Sequence, residues 1–458
     1  MEFITLPAKR VPVTARADVV IVGGGPAGVG AAVQAARRGV DTVVIERFGS
    51  LGGINTLGYM YITADLDGRT INGVSKELIS RLEASGHVAN ILDKYPTITS
   101  NPLTHYYSGS GDRDPDMSLL AYDPDMMAFA MNEMLEDLGV TVMLRSLFVD
   151  AVVENDSIKA VIVENASGRQ AIEGKVFIDA TGRADLVARS GAPFVRAGCD
   201  KTGFPMSPGL MWKMANVDFG RLFEYQKIDP TLAKLIEKAQ AEGGVPYYRR
   251  KRTREDTGCD FCPKYSGHPT LEMQPTLYPG EMLLWASAEY ELGLHADDSA
   301  DDLSQAETHT KKQIMSELEF LKKYVPGFGN AHLAGIAPFL GIREGRHPIG
   351  EYVLTYEDIM SSRKFADVAL RPVDHIRVKT NEGFRRLDVE IPYRSFLAKK
   401  VDNLLLAGDA ISAEHAAQFY ATHLFPLAVS AGEVAGTAAA LSVKQNKKVK
   451  ELKWPGPL

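Results

Sequence analysis

The 458-residue chain has only three cysteines, Cys199, Cys259 and Cys262. Three thiols build no even disulfide framework, which excludes a stapled secreted scaffold and leads us to expect a reducing compartment. In "GCDFCPKYSGH" the Cys259/Cys262 pair has metal-ligand spacing, with His268 as a third candidate. A structural zinc site closes with four ligands and no second CxxC exists, so the segment is read as a loop and no metal is expected. No run approaches the roughly 18 apolar residues of a membrane span, and "MEFITLPAKRVPV" lacks a signal-peptide core. The expectation is a cytoplasmic protein with no membrane partner.

Positive charge is also short. Lys and Arg number 51 against 58 Asp and Glu, a net charge of −7 with histidine neutral. That field repels nucleic acid and anionic lipid, and neither is expected as a partner. The strongly basic run "YYRRKRTRED" (Tyr247–Asp256) has acidic neighbours and is read as a solvated loop. With 45% hydrophobic and 24% charged residues, the composition is that of an ordinary soluble protein. At roughly 100–200 residues per domain, the length implies two or three lobes.

What is present begins with "ADVVIVGGGPAGVGAAVQAARRGVDTVVIER", Ala17 to Arg47. An apolar β-branched run breaks at glycines, continues as an Ala-rich helical pattern and returns to "DTVVIE". This is strand, turn, helix and strand within the roughly 30 residues of a βαβ unit. Gly23 permits the tight turn, Gly25 lets backbone approach a pyrophosphate, and Gly28 lets the helix pack closely. The helix N-terminus offers free N–H groups and a positive dipole end to that pyrophosphate. Glu46 closes the second strand, placed for the hydroxyls of an adenosine ribose. The fingerprint predicts a dinucleotide and does not by itself choose between FAD and NAD.

Later segments favour the longer cofactor. "FGSLGGINTLGY" (Phe48–Tyr59) puts a second glycine pair, Gly52 and Gly53, just after the ribose acid and Arg47. "KVFIDATGRAD" (Lys175–Asp185) and "VDNLLLAGDAIS" (Val401–Ser412) each read as a buried strand ending in a small-residue turn. The small-residue helix "LAVSAGEVAGTAAAL" (Leu427–Leu441) follows.

The Gly23 to Glu46 fingerprint, "DATG" at Asp179–Gly182 and "AGD" at Ala407–Asp409 resemble the glutathione-reductase-like superfamily of FAD-binding flavoproteins. Within it, "LGGINT", "YDPDMM", "VFIDATGRADL", "GIREGRHPIGEYVLT" and "AGEVAGTAAAL" are similar to the family described as FAD-dependent oxidoreductases. The resemblance runs from Asp18 to about Leu441. It implies an α/β fold, a discontinuous Rossmann-like FAD-binding domain with a mixed-sheet substrate domain. The expected layout is FAD-binding residues 1–89, a lid or insert at 90–135, FAD-binding residues 136–190, a substrate domain at 191–395, and a last FAD-binding part with the C-terminal tail at 396–458. The aromatic, turn-rich insert is read as either a lid over the flavin or a homo-oligomer contact.

The resemblance also implies FAD contacts. Gly23, Gly25, Pro26, Ala27 and Gly28 would face the pyrophosphate, and Glu46 with Arg47 the adenosine ribose. Gly52, Gly53 and Asn55 would meet the chain between ribitol and phosphate, and Phe148 and Val149 the adenine. Ala180, Thr181 and Gly182 would line the mouth of the cleft. Gly408 and Asp409 would hold the ribitol or phosphate region, and Leu427 and Ala428 would point a helix N-terminus at the flavin N1/C2 edge. Tyr59 and Tyr61 are read as packing residues or as a wall over the isoalloxazine.

Two residues are singled out for chemistry. His423, in "AAQFYATHLFPLAV" (Ala416–Val429) where relatives commonly carry an arginine and "MPT", is nominated as acid or base. In "GIREGRHPIGEY" (Gly341–Tyr352), Arg343 either recognises substrate or flavin with Arg346 in support, or pairs with Glu344 or Glu351 across an interlobe joint. His347 is read as a hydrogen-bonding residue beside Arg346. The "HADDSADDL" acids are read as helix capping rather than a calcium site.

No second GxGxxG follows a strand, so no dedicated nicotinamide domain is expected. The function expected is oxidation of a small polar organic molecule, with proton loss to a base such as His423 and hydride transfer to flavin N5, then reoxidation by oxygen or another acceptor. The alternatives are an NAD(P)H-fed flavin monooxygenase and a non-catalytic FAD-binding relay or scaffold subunit.

Overall fold

A computed structural model describes residues 4, 7–66, 68–95, 117–198, 208–229, 232–243, 273–287, 298–372, 377–380 and 383–458. Cys199, Cys259, Cys262, His268, the basic run at 247–256 and most of the 90–118 insert lie outside them.

The fingerprint folds as its residue types require. β1 (Val13–Val22) holds the apolar run, and its last four residues are buried. α1 (Pro26–Arg37) opens on a proline whose missing N–H would have had no helical partner. β2 (Thr42–Ile45) then lies parallel to β1, with Val19 opposite Thr42 and Val22 opposite Ile45. Consecutive strands run parallel only across such a helical crossover.

The main sheet has seven strands. β6 (Thr141–Met143), β2, β1, β9 (Gly168–Asp179), β8 (Ser157–Asn165) and β7 (Leu147–Glu154) follow in that order, and β14 (Leu404–Leu406) also pairs with β9. β6, β2, β1, β9 and β14 are parallel, while β7 and β8 form an antiparallel meander on β9. A separate antiparallel sheet joins β3 (Ile62–Leu66), β5 (Met117–Tyr122) and β4 (Val88–Asn90).

The second lobe is built on an antiparallel sheet. β11 (Met273–Pro275), β12 (Met282–Ser287), β10 (Gly209–Ala215) and β13 (His332–Ile336) pair in that order. The amphipathic α2 (Ala300–Tyr324) packs against β10 and β12. Its Ser299 side chain accepts the Asp302 N–H at 3.2 Å, with Asp301 and Asp302 in the first turn and Lys322 and Lys323 in the last. Ser299 thus caps the helix, and Asp301 and Asp302 complement its dipole.

The C-terminal helix ties the chain's two ends together. α3 (His415–Ala421) leads into α4 (Phe425–Gln445), which lies along α1. α4 is long and apolar enough to cross a membrane, a match the sequence reading did not anticipate. Its most apolar window is 83% buried inside the protein, so α4 is a core helix. Contact between α1 and α4 is backbone to backbone. A Cβ on Gly432 would lie 1.9 Å from the Ala27 carbonyl oxygen, one on Gly436 2.1 Å from that of Ala31, and one on Gly30 2.3 Å from that of Val429. Gly432→Ala gains helix propensity yet forces the two helices apart. We expect a net loss of about 3 kcal/mol in unfolding free energy, read by denaturant titration of the holoprotein.

Candidate functional site

One cavity opens at the carboxyl ends of the parallel strands. It touches Val22 at the end of β1, Ile45 at the end of β2, Ala180 after β9 and Ala407 after β14. β1 sends the chain to β2 on one side and has β9 on the other, so the cavity sits at a switch point of strand order, where α/β sheets bind ligands.

The three fingerprint glycines have separate duties. Gly23 has φ +106, and a Cβ there would lie 2.4 Å from the Ala180 carbonyl oxygen. Gly28 is closed in the same way, 1.9 Å from the Gly23 carbonyl oxygen, and does not line the cavity. Gly25 does line it, with nothing within 4 Å of a Cβ position. Pro26 and Ala27 also line it, and α1 begins without a side-chain cap or an acidic residue in its first turn. That leaves backbone N–H groups and a positive dipole end facing open space, a donor set suited to a diphosphate.

Glu46 shapes the turn as well as facing the cavity. Its Oε2 accepts the Gly24 N–H and its Oε1 the Phe48 N–H, both at 2.8 Å. Burial raises its pKa above the ordinary value, although those backbone donors oppose the rise. Each oxygen keeps a second acceptor site for a sugar hydroxyl. Arg47 also lines the cavity, 4.7 Å over the Phe48 ring, and Phe48 stacks on Phe339 of the second lobe at 4.5 Å.

Gly53 and Asn55 line the cavity from a short 3-10 turn, Gly53–Asn55. Gly52 does not. Its Cβ position lies 2.3 Å from the Thr56 side chain, so Gly52 builds the loop that Gly53 presents. Phe148 lines the cavity and also a neighbouring one, which Val149 shares with Arg189 and Arg346. The β7–β8 register is irregular between Phe148 and Asp150.

The "DATG" turn is organised by Asp179. Its Oδ1 accepts the Thr181 N–H at 3.0 Å and the Thr181 hydroxyl at 2.7 Å, and its Oδ2 accepts the Val187 N–H at 2.9 Å. Thr181 and Gly182 are thereby held against the cavity. Burial raises the Asp179 carboxyl from 3.8 to about 6. A pKa raised on folding contributes stability that is present in full below the unfolded value and lost as pH rises through the folded one. Relative to Asp179→Asn, the native protein should therefore gain about 2 kcal/mol as pH falls from about 7 to about 4. Paired denaturant titrations across that window check it.

Gly408 and Asp409 line the cavity beyond β14. Asp409 is likewise raised by burial to about 6, with the Thr422 hydroxyl 3.4 Å from its Oδ1. At α4, Leu424, Phe425 and Ala428 reach the cavity, while Leu427 is 1% exposed and faces the core. The two side chains of the expected pair thus part, Leu427 to the core and Ala428 to the cavity. α4, like α1, starts with no side-chain cap and no first-turn acid.

His423 and Arg343 both line this cavity, together with Met211, Trp285 and Ile342. Met211 and Trp285 are cross-strand partners on one face of the β10–β12 pair, contributions the sequence analysis missed. Arg343 forms no hydrogen bond or ion pair among the described residues. The interlobe joint is made by its neighbour. Arg346 Nη1 donates to Asp185 Oδ1 at 2.9 Å and to the Arg183 carbonyl at 3.0 Å, so it does not support Arg343. Glu344 meets His347 instead, with Oε1 to Nε2 at 2.9 Å. Neither Tyr59 nor Tyr61 lines the cavity; Met60 and Ile62 do. Tyr61 is buried, and the Lys213 ammonium lies 5.3 Å from the centre of the Tyr59 ring.

The model of the family described as FAD dependent oxidoreductase matches residues 18–456. The chain belongs to this family. Its cofactor is FAD, and two uncapped helix N-termini, a Gly25 backbone lining the cavity and the buried Glu46 carboxylate fit that cofactor. A 39-residue stretch of this flavoprotein is 54% identical to dihydrolipoyl dehydrogenase of Vibrio cholerae, a match spanning 8% of either chain. Among solved structures, p-nitrophenol 4-monooxygenase PnpA from Pseudomonas putida DLL-E4 is similar with a TM-score of 0.50 and 11% identity, over 95% of this chain and 83% of that one. A geranylgeranyl bacteriochlorophyll reductase-like protein from Thermoplasma acidophilum gives 0.48 and 14%, over 94% and 80%. At 11% identity the likeness to PnpA concerns the fold alone.

Proposed function

We propose that this flavoprotein oxidises a small organic molecule bearing a carboxylate or comparable anion, and that it sits in the glutathione-reductase-like superfamily, a placement supported by the Gly23–Glu46, "DATG" and "AGD" turns. The observation that carries the substrate reading is Arg343, a guanidinium in the cavity with no counter-ion among the described residues. A planar fork of that kind takes a carboxylate through two parallel hydrogen bonds.

Bound FAD supplies the two-electron acceptor. Arg343 anchors the substrate's anionic end and orients it, and His423, on the same cavity wall system, takes the hydroxyl or amine proton as the substrate is oxidised. Met211, Trp285, Phe339 and Ile342 exclude water and strengthen both polar contacts. Gly25 and the α1 N-terminus hold the diphosphate, Glu46 the ribose, and Asp409 the polyol region.

Anaerobic mixing tests this. Substrate alone, drawn from a panel of hydroxy and amino acids, should bleach the flavin. Bleaching by NAD(P)H and by no panel member would favour a monooxygenase, and bleaching by neither a scaffold role.

A further inference from the structure

Glu344, His347 and His415 form a compact group behind the FAD cavity, and none of them lines it. Their ligand atoms all lie within 4.8 Å of one another. Glu344 Oε1 is 2.9 Å from His347 Nε2 and 3.7 Å from His415 Nδ1. The side chains are 3%, 7% and 13% exposed, so the group is closed to bulk water.

A carboxylate buried this deeply requires positive charge nearby. Of the charged neighbours in its own segment, Arg346 is committed to Asp185 and Arg343 faces the cavity. Two imidazoles face the carboxylate instead. Donors bound at roughly 2.0–2.2 Å around a first-row divalent ion stand about 3.0–3.5 Å apart, and the observed 2.9 and 3.7 Å bracket that spacing. Two imidazoles and one carboxylate suit Zn²⁺, Fe²⁺ or Mn²⁺. Calcium and magnesium prefer oxygen sets, and Cu(I) prefers sulfur.

We infer that Glu344, His347 and His415 bind one divalent transition-metal ion as a structural clamp, separate from the flavin site. The ion would replace the proton that Glu344 Oε1 and His347 Nε2 share. It would join the return segment of the second lobe to α3, whose first residue is His415. The Gly198 N–H, donating to Glu344 Oε1 at 3.1 Å, orients the carboxylate from a third segment. His347 also acts electrostatically on Asp409, so the clamp would underlie the floor of the FAD cavity.

The test uses tag-free holoprotein stripped with EDTA, exposed to excess Zn²⁺ or Co²⁺, desalted, and assayed for metal by mass spectrometry against protein and FAD. Wild type should retain about one equivalent, and Glu344→Gln and His415→Gln less than about a tenth of one. Glutamine preserves hydrogen bonding and size, and FAD content with circular dichroism establishes that each variant is folded. Co²⁺ loading should add ligand-field bands that the variants lack. Wild type retaining under about a tenth of an equivalent would overturn the clamp whatever the variants do. Equal retention by wild type and both folded variants would overturn it as well.

Discussion

Gly25→Val should yield a folded, colourless protein. Gly25 has φ −72 and ψ −175, extended backbone open to any residue, and no atom lies within 4 Å of its Cβ position. The fold has no reason to reject the side chain. The cofactor does, because the valine methyls occupy the space where a diphosphate must touch backbone N–H groups at the start of α1. Affinity for FAD should fall by at least about a thousandfold, since both the close approach and the helix N-terminal contacts go. Its neighbours predict the opposite outcome. Gly23→Ala strains a backbone at φ +106 and meets the Ala180 carbonyl, and Gly28→Ala meets the Gly23 carbonyl at 1.9 Å, so both should lose stability before they lose flavin. Flavin absorbance per protein, set beside thermal unfolding, separates the two kinds of failure. A Gly25→Val protein with full flavin occupancy would remove the diphosphate from this turn.

The contrast among these glycines bears on what a sequence can disclose. The βαβ unit was legible because its contacts are local: strand, turn, helix and second strand follow within one short stretch, and each residue type has a local reason to be there. The turns after β9 and β14 were legible for the same reason. Phase was harder. Leu427 and Ala428 are adjacent in sequence, but only the position of α4 against α1 decides that Ala428 reaches the cavity and Leu427 the core. Likewise Tyr61 and Ile62 are adjacent where β3 begins, and only the packing of that edge puts Ile62 on the cavity and leaves Tyr61 buried away from it. Contributions from the other lobe carried no local signal. Met211 and Trp285 belong to strands tens of residues apart and meet only through the register of β10 on β12. The hardest case was "GIREGRHPIGEY". Two arginines three residues apart have the same chemistry, and only the path of the loop assigns Arg346 to Asp185 and leaves Arg343 to the cavity.

That division makes Arg343→Ala the most informative substitution for catalysis. Because Arg343 has no carboxylate partner among the described residues, its loss orphans no charge there, and stability and FAD content should stay at wild-type levels. The deficit appears when substrate binds and its anion is dehydrated without a partner, a penalty of about 2–5 kcal/mol. We therefore expect kcat/KM to fall by about a thousandfold for the anionic substrate. Arg343→Lys restores the charge without the planar fork and should recover about tenfold of that loss. Added guanidinium should partly rescue Arg343→Ala, and it should not rescue Arg346→Ala, whose defect lies in the joint between lobes. His423→Gln provides the complementary signature, a lower kcat with little change in KM, as expected of a group that moves a proton rather than anchors a charge. Wild-type kcat/KM in Arg343→Ala would mean that the cavity's guanidinium meets no anion in the substrate, and selectivity would then have to come from the apolar wall of Met211, Trp285 and Phe339.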